Sequence, residues 1–209
     1  MAIIVNVKIV EITAHQKPLM DTLKRLLKEE CHYQLSEEIM DSFLSQFTEY
    51  ELKSKSPLIS CGEVNSNVYI VKEGIMRVSH MDGTKEVTLG FALPGTMLIS
   101  WFSFYNCKPS YYHIDACCDS VILQLPKQIF DNFVKESHEF AQWALSMAQC
   151  QLYYDELKQS LINGNAKERY LSLLNNRPEI LQKVSLGVVA SYLGVTQQYL
   201  SYIRKQLTK

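Results

Sequence analysis

The spacing of apolar residues changes character three times along the chain, and each change predicts a different kind of element. Residues 1–19 alternate polar and apolar side chains (Ile4, Asn6, Lys8) with the period of a strand and then reach Pro18, so they read as an N-terminal extension. Residues 20–47 turn helical. Leu23, Leu26 and Leu27 make one stripe, and Ser36, followed by Glu37 and Glu38, reads as the N-cap of a second helix bearing Ile39, Phe43 and Phe47.

Between residues 48 and 126 the period shortens. The runs LISC, VYIV, MRVSH, EVTLGF and VILQL are separated by Cys61-Gly62, Gly74, Asp82-Gly83, Pro94-Gly95 and Lys108-Pro109. Asp82-Gly83, flanked by alternating Met76, Val78, His80 and Val87, Leu89, Phe91, is the strongest hairpin signal. Short strands at this spacing predict an antiparallel sandwich or barrel. From Val87 to Cys107 there are 21 uncharged residues, the length of a spanning helix. Gly90, Pro94, Gly95, Ser100, Ser103 and Asn106 interrupt them, so a buried strand followed by a turn is expected, and no membrane segment.

The helical period returns at Pro126. Trp143, Met147, Cys150, Tyr154, Leu157 and Leu161 follow one another at alternating steps of four and three, an a/d seam. Such a stripe packs either on the chain's own β domain or on a partner helix. Large residues throughout, directly after an all-β domain, favour a second copy of the chain. Asn163-Gly164-Asn165 then breaks the helix.

A further helix spans Ala166–Asn175, with Tyr170, Leu171 and Leu174, and ends near Pro178. After it, Ser185 caps a short helix whose Leu186, Val189, Ala190 and Leu193 face inward, and Gly194 occupies a tight turn. Thr196 caps the next helix, whose buried stripe is Leu200, Ile203 and Leu207. Small Ala190, Gly194 four residues on and aliphatic Leu200 six after that have helix-turn-helix spacing. A generic helical hairpin gives the same pattern. The exposed face of the second helix helps decide: Gln197, Gln198, Ser201, Tyr202 and Lys205 form hydrogen bonds readily, whereas a structural face more often carries Glu/Lys pairs.

Composition adds one asymmetry. The 209 residues are 47% hydrophobic and 21% charged with a net charge of −1, which excludes a protein that is basic throughout. Residues 180–209 nevertheless carry Lys183, Arg204, Lys205 and Lys209 with no acid, a local +4 against −5 for the rest. The six cysteines show no metal spacing, and Cys117-Cys118 read as buried β residues rather than a thiol sensor. No secretory signal is evident, so reduced thiols and a cytoplasmic location are expected. No GxSxG, P-loop or HExxH motif occurs, and no enzyme, metal or cofactor is expected.

A β-barrel, a long helix and a C-terminal helix-turn-helix, in that order, resemble the Crp/Fnr transcription regulators. The resemblance rests on Cys61-Gly62-Glu63, Tyr69-Ile70, Gly74 with Arg77-Val78, Asp82-Gly83, Pro94-Gly95, the run IDACCDSVILQLPKQIFDNF, Glu168-Arg169-Tyr170-Leu171 and the helix-turn-helix. It implies an α+β fold: an antiparallel, jelly-roll-like β-roll flanked by helices (20–136, after the 1–19 extension), a dimerisation helix (137–163) and a DNA-binding domain (164–209). Thr196, Gln197, Gln198, Ser201, Tyr202, Arg204 and Lys205 would then meet double-stranded DNA, and Trp143, Met147, Cys150, Tyr154, Leu157 and Leu161 would form the homodimer. RNA polymerase is a further partner the resemblance implies.

Two departures shape the functional expectation. Cyclic-AMP-binding members carry a Glu for the ribose hydroxyl and, ten residues later, an Arg for the cyclic phosphate; those places hold Ser100 and Ser110 here. A buried phosphate without its cation is costly. The candidate effector region (Ser100, Trp101, Ser110, Tyr111, Tyr112) is aromatic instead, suited to an apolar ligand or, preferably, a collapsed core. The sequence also ends two residues after Leu207, so the family's β-hairpin wing is not expected. The leading reading is a sequence-specific DNA-binding regulator that does not respond to cyclic AMP. The alternative is a β-roll ligand-sensing or interaction module with a non-functional DNA-binding domain. The effector's identity stays open.

Overall fold

The computed structural model describes residues 17–30, 33–162 and 165–207. The strand pattern of residues 1–16, the Asn163-Gly164 break and Lys209 lie outside the described residues.

Two helices lead into the β region: α1 (Lys17–Glu30) and α2 (Glu37–Leu44). Pro18 falls in the first turn of α1, as its fixed φ and missing N–H allow. Ser36 stands at the N-cap of α2, but its hydroxyl and N–H both donate to Glu139 instead of capping, and Phe47 falls beyond the helix end.

Eight strands follow, in two antiparallel four-stranded sheets. In chain order they are β1 (Thr48–Leu52), β2 (Pro57–Ile59), β3 (Asn67–Glu73), β4 (Met76–Asp82), β5 (Lys85–Ala92), β6 (Met97–Leu98), β7 (His113–Ala116) and β8 (Ser120–Pro126). The sheets run β1-β8-β3-β6 and β2-β7-β4-β5. The expected hairpin forms between β4 and β5, with Asp82 opposite Lys85 closing a Gly83-Thr84 turn. Strand β3 is apolar without alternation because both its faces are covered. Tyr69 and Val71 point between the sheets, while Val68 and Ile70 point to a helical layer.

That layer consists of α1, α2, α4 (Lys127–Glu136) and α5 (His138–Ile162). At its centre Phe43, fully buried, meets the rings of Phe47, Phe130, Phe133, Phe140 and Trp143, with centroids 4.8–6.4 Å apart. Trp143 and Met147 belong to this core, 0% and 7% exposed. The stripe read as a seam for a second copy therefore faces the chain's own β domain at these two residues, and Cys150 is half-buried against the same cluster. Any helix with one buried face carries such a stripe, so the spacing did not say which neighbour covers it. The side chains of Tyr154, Leu157 and Leu161 lie outside the described residues.

The uncharged stretch from Val87 holds more than a strand and a turn. It ends in a short helix, α3 (Trp101–Asn106), closed by Cys107 at φ 52°. Aromatic residues with low helix propensity hid it. The C-terminal part holds α6 (Ala166–Asn176), α7 (Pro178–Lys183), α8 (Leu186–Tyr192) and α9 (Gln197–Leu207). Pro178 does not merely end α6; it starts α7 at the N-terminal position that tolerates it.

Candidate nucleic-acid interface and effector region

The helix-turn-helix pair is α8 and α9. Val189, Ala190, Leu193, Leu200 and Ile203, none more than 4% exposed, fasten the two helices together with Ile180 and Tyr170. The turn is fixed by its backbone: the N–H of Val195 donates to the Ala190 carbonyl at 3.0 Å, and Gly194 takes φ 66°, the left-handed region a side chain would resist. The preceding helix completes the unit. Asn165 and Glu168 form a reciprocal capping box at the start of α6. Arg169 then donates to the Leu193 carbonyl at 2.8 Å, satisfying an acceptor at the end of α8.

What this scaffold presents is a polar helix face. Thr196 caps α9 by accepting the Tyr199 N–H at 3.2 Å. Gln197, Gln198, Tyr202, Arg204 and Lys205 are exposed and Ser201 is half-buried. Gln197 lies back against α8: its Oε1 sits 3.1 Å from where a Cβ on Gly187 would stand. Sequence reasoning missed Tyr199, which is 51% exposed beside Tyr202 at 57%, their rings nearly parallel at 16° and 6.2 Å apart. The three-residue spacing on the first turns of α9 was the available signal. Lys183, closing α7, is also exposed.

Ser100 and Ser110, the residues that the resemblance sets against the Glu and Arg of cyclic-AMP binders, meet each other. Ser100 is 4% exposed and Ser110 2%, and the Ser100 hydroxyl donates to Ser110 Oγ at 3.0 Å. Ser110 Oγ also accepts the Tyr112 N–H and donates to the Tyr112 carbonyl, both at 3.1 Å. A hydroxyl pair with these partners is already satisfied and carries no positive charge for a phosphate. Of the other expected pocket residues, Trp101 is half-buried against Phe104, and Tyr111 and Tyr112 are exposed. Trp101 stacks on Tyr105 at 5.7 Å and Phe102 packs on Tyr111 at 4.6 Å, with Tyr111 60% and Tyr112 42% exposed. Between the sheets, Tyr69, Val71, Met76, Leu98, Ile114 and Ile122 make a packed core.

A cavity of about 410 Å³ lies elsewhere, between β4, β5 and β7 on one side and Val184, Ser185 and Val188 on the other. Arg77 spans its floor, donating from Nε to Asp115 and from Nη2 to Glu86, each at 2.9 Å. Burial disfavours the Glu86 carboxylate, yet the Ser79 hydrogen bond and the Arg77 charge outweigh it and hold its pKa below the ordinary value. Alongside, the Thr88 N–H donates to Ser191 Oγ at 3.0 Å and Phe91 meets Tyr192 at 5.1 Å, joining β5 to α8. Cys117 and Cys118 are half-buried at this junction, and burial pushes the Cys117 thiol up to about 12. Among the described residues no group of three or more potential ligands gathers for a metal, and no helix is long and apolar enough to cross a membrane.

Comparison with known proteins agrees with this architecture. Residues 49–137 match the cyclic nucleotide-binding domain family. No curated protein sequence matches the chain. Among solved structures, FixK2 from Bradyrhizobium japonicum superposes with a TM-score of 0.67 at 18% identity, covering 78% of this chain and 84% of that one. The c-di-GMP responsive global regulator CLP of Xanthomonas campestris gives 0.63 at 16% identity over 83% and 92% of the two chains. The Thermus thermophilus catabolite activator protein gives 0.53 at 19% identity over 83% and 84%. With residues 49–137 matching the cyclic nucleotide-binding domain family and a helical C-terminal unit behind them, the chain has an α+β fold like that of the Crp/Fnr transcription regulators.

Proposed function

We propose that the chain is a transcription regulator that binds DNA sequence-specifically through α9 and does so without cyclic AMP. The observation that carries the reading is the pairing of a rigidly built turn with a polar face of Gln198, Ser201 and Tyr202 and cations Arg204 and Lys205. An amide of this kind matches the N6/N7 edge of adenine, and a tyrosine ring lies well against a thymine methyl. Half-sites leaning towards A·T follow. The Ser100–Ser110 hydrogen bond supports independence from cyclic AMP, since the family's phosphate cation has no counterpart there.

Two copies on one palindrome complete the proposal. The face of α5 turned to solvent, not its Trp143 stripe, offers the contact: Leu145 and Leu152 are seven residues apart, 54% and 66% exposed. Large apolar residues at heptad spacing on a long helix pair well in parallel. Half-site centres then lie about one helical turn (~10 bp), or a multiple of it, apart. A cytoplasmic location and RNA polymerase as a partner on promoters belong to the same proposal.

Titration of a fluorescent duplex against salt tests the reading. Two to three phosphate contacts per subunit give a log–log slope near −4 to −5, at about −0.9 per phosphate. Lys205→Ala is expected to weaken all sequences alike and flatten that slope, and Gln198→Ala to relax preference at one base pair per half-site by roughly 1–3 kcal/mol. Equal, weak binding to every duplex would instead favour a β-roll interaction module with an idle helix-turn-helix.

A further inference from the structure

Tyr199 and Tyr202 are both large, both more than half exposed, and stacked on each other on the first two turns of α9. Two adjacent tyrosine rings in water cost apolar exposure that a helix face with no partner has no reason to keep. Their relative placement is set by the backbone. The Thr196 cap holds the Tyr199 N–H, and three-residue spacing brings the second ring over the first. A lone tyrosine at 202 would have several rotamers open to it; against a parallel neighbour 6.2 Å away fewer remain.

We propose that Tyr199 is a positioning residue for DNA readout: its ring fixes the Tyr202 ring so that Tyr202 packs on the C5-methyl of one thymine in each half-site. The inference rests on the DNA-binding reading and deepens it, because it gives Tyr199 the task of holding the ring that makes the methyl contact. A methyl contact carries base information that a phosphate contact does not. The Tyr199 hydroxyl has no part in it. Only the ring matters, which sets this role apart from a tyrosine donating to phosphate.

Deoxyuridine in place of thymidine removes the C5-methyl and nothing else, so it reads the contact directly. The selected half-site is synthesised with deoxyuridine at each thymine in turn, and anisotropy titrations use the full chain. Wild type is expected to lose roughly fourfold in affinity at one position per half-site, the burial worth of one methyl-sized group. Tyr202→Ala should abolish that difference. Tyr199→Phe should keep it, Tyr199→Ala should shrink it, and adding Tyr199→Ala to Tyr202→Ala should change nothing further at that position. Thermal melting of each variant accompanies the titrations, because loss of folding lowers affinity for all duplexes without altering the thymine-to-uracil ratio. A ratio unchanged in Tyr199→Ala overturns the proposal. So does an equal loss on all sequences in Tyr199→Phe and Tyr199→Ala, which would make the hydroxyl a phosphate donor. Failure of wild type to prefer any sequence removes the DNA reading itself and is seen before any variant is made.

Discussion

Gly74, in the turn between β3 and β4, is where one added methyl should do most damage. Its φ is 92°, which L side chains resist, and a Cβ built there would stand 2.1 Å from Ser120 Oγ, 2.6 Å from its Cβ and 2.8 Å from its Cα. Rotating Ser120 relieves only the first clash. The other two belong to the start of β8, which is bonded to β1 and β3 and has no room to retreat. The left-handed conformation costs an alanine about 1–2 kcal/mol, and forcing a packed site apart adds typically 1–3 kcal/mol. The sum for Gly74→Ala is about 2–5 kcal/mol, a large share of the roughly 5–15 kcal/mol that keeps a domain folded. At about 2–4 °C per kcal/mol for chains of this size, the melting midpoint should fall by roughly 4–20 °C. Gly83→Ala is the control, since its backbone is also left-handed but nothing lies within 4 Å. It should lose only the backbone share. Ser120→Gly in the Gly74→Ala background should restore part of the difference and not all of it, because the clash with the backbone of residue 120 remains. Melting of Gly74→Ala and Gly83→Ala at the same temperature would refute the steric argument.

The ion group on β4, β5 and β7 predicts the acid limb of stability. Glu86 is held below its ordinary pKa in the fold, so its stabilisation is complete above the unfolded carboxylate's value and is lost as pH falls through the folded one; Glu86→Gln should flatten denaturant midpoints across that acid range while barely changing their slope with pH above neutrality. The thiols should separate by rate. Cys61 and Cys107 are exposed and Cys117 is half-buried, its thiol pushed up to about 12 by burial, so in a Cys31→Ser background an aromatic disulfide at pH 8 should label the first two quickly and Cys117 much more slowly. Fast labelling of Cys117 in the folded protein would contradict its placement against the helical domain. Leu145→Asp with Leu152→Asp should keep the folded circular-dichroism signature and convert dimers to monomers in sedimentation, whereas Trp143→Asp, aimed at a fully buried ring, should unfold the chain.

How much of this was legible beforehand follows from the range of each interaction. The β4–β5 hairpin, the cap at Thr196 and the inward set Val189, Ala190, Leu193, Leu200 and Ile203 depend on neighbours a few residues away, and spacing alone pointed to them. Ser100 and Ser110 were picked out by comparison with a family pattern. Their hydrogen bond across ten residues was not legible, because it needs the turn after α3 to bring them together. Trp143 shows the limit most clearly. A heptad stripe states that one face is buried and leaves open against what; here Phe43 and Phe140, about a hundred residues and three residues away, supply the cover. Helix α3 was hidden for the opposite reason, its aromatic run having strand-like propensity that tertiary packing of Phe104 overrides.

The central claim is that α9 reads DNA and that cyclic AMP is not needed for it. Selection from a random duplex library with the purified chain, carried out in parallel with and without millimolar cyclic AMP, tests both halves at once. The same enriched palindrome is expected in both arms, with half-sites rich in A·T and centres about 10 bp, or a multiple of it, apart. No enriched sequence in either arm, or enrichment only when cyclic AMP is present, would contradict it.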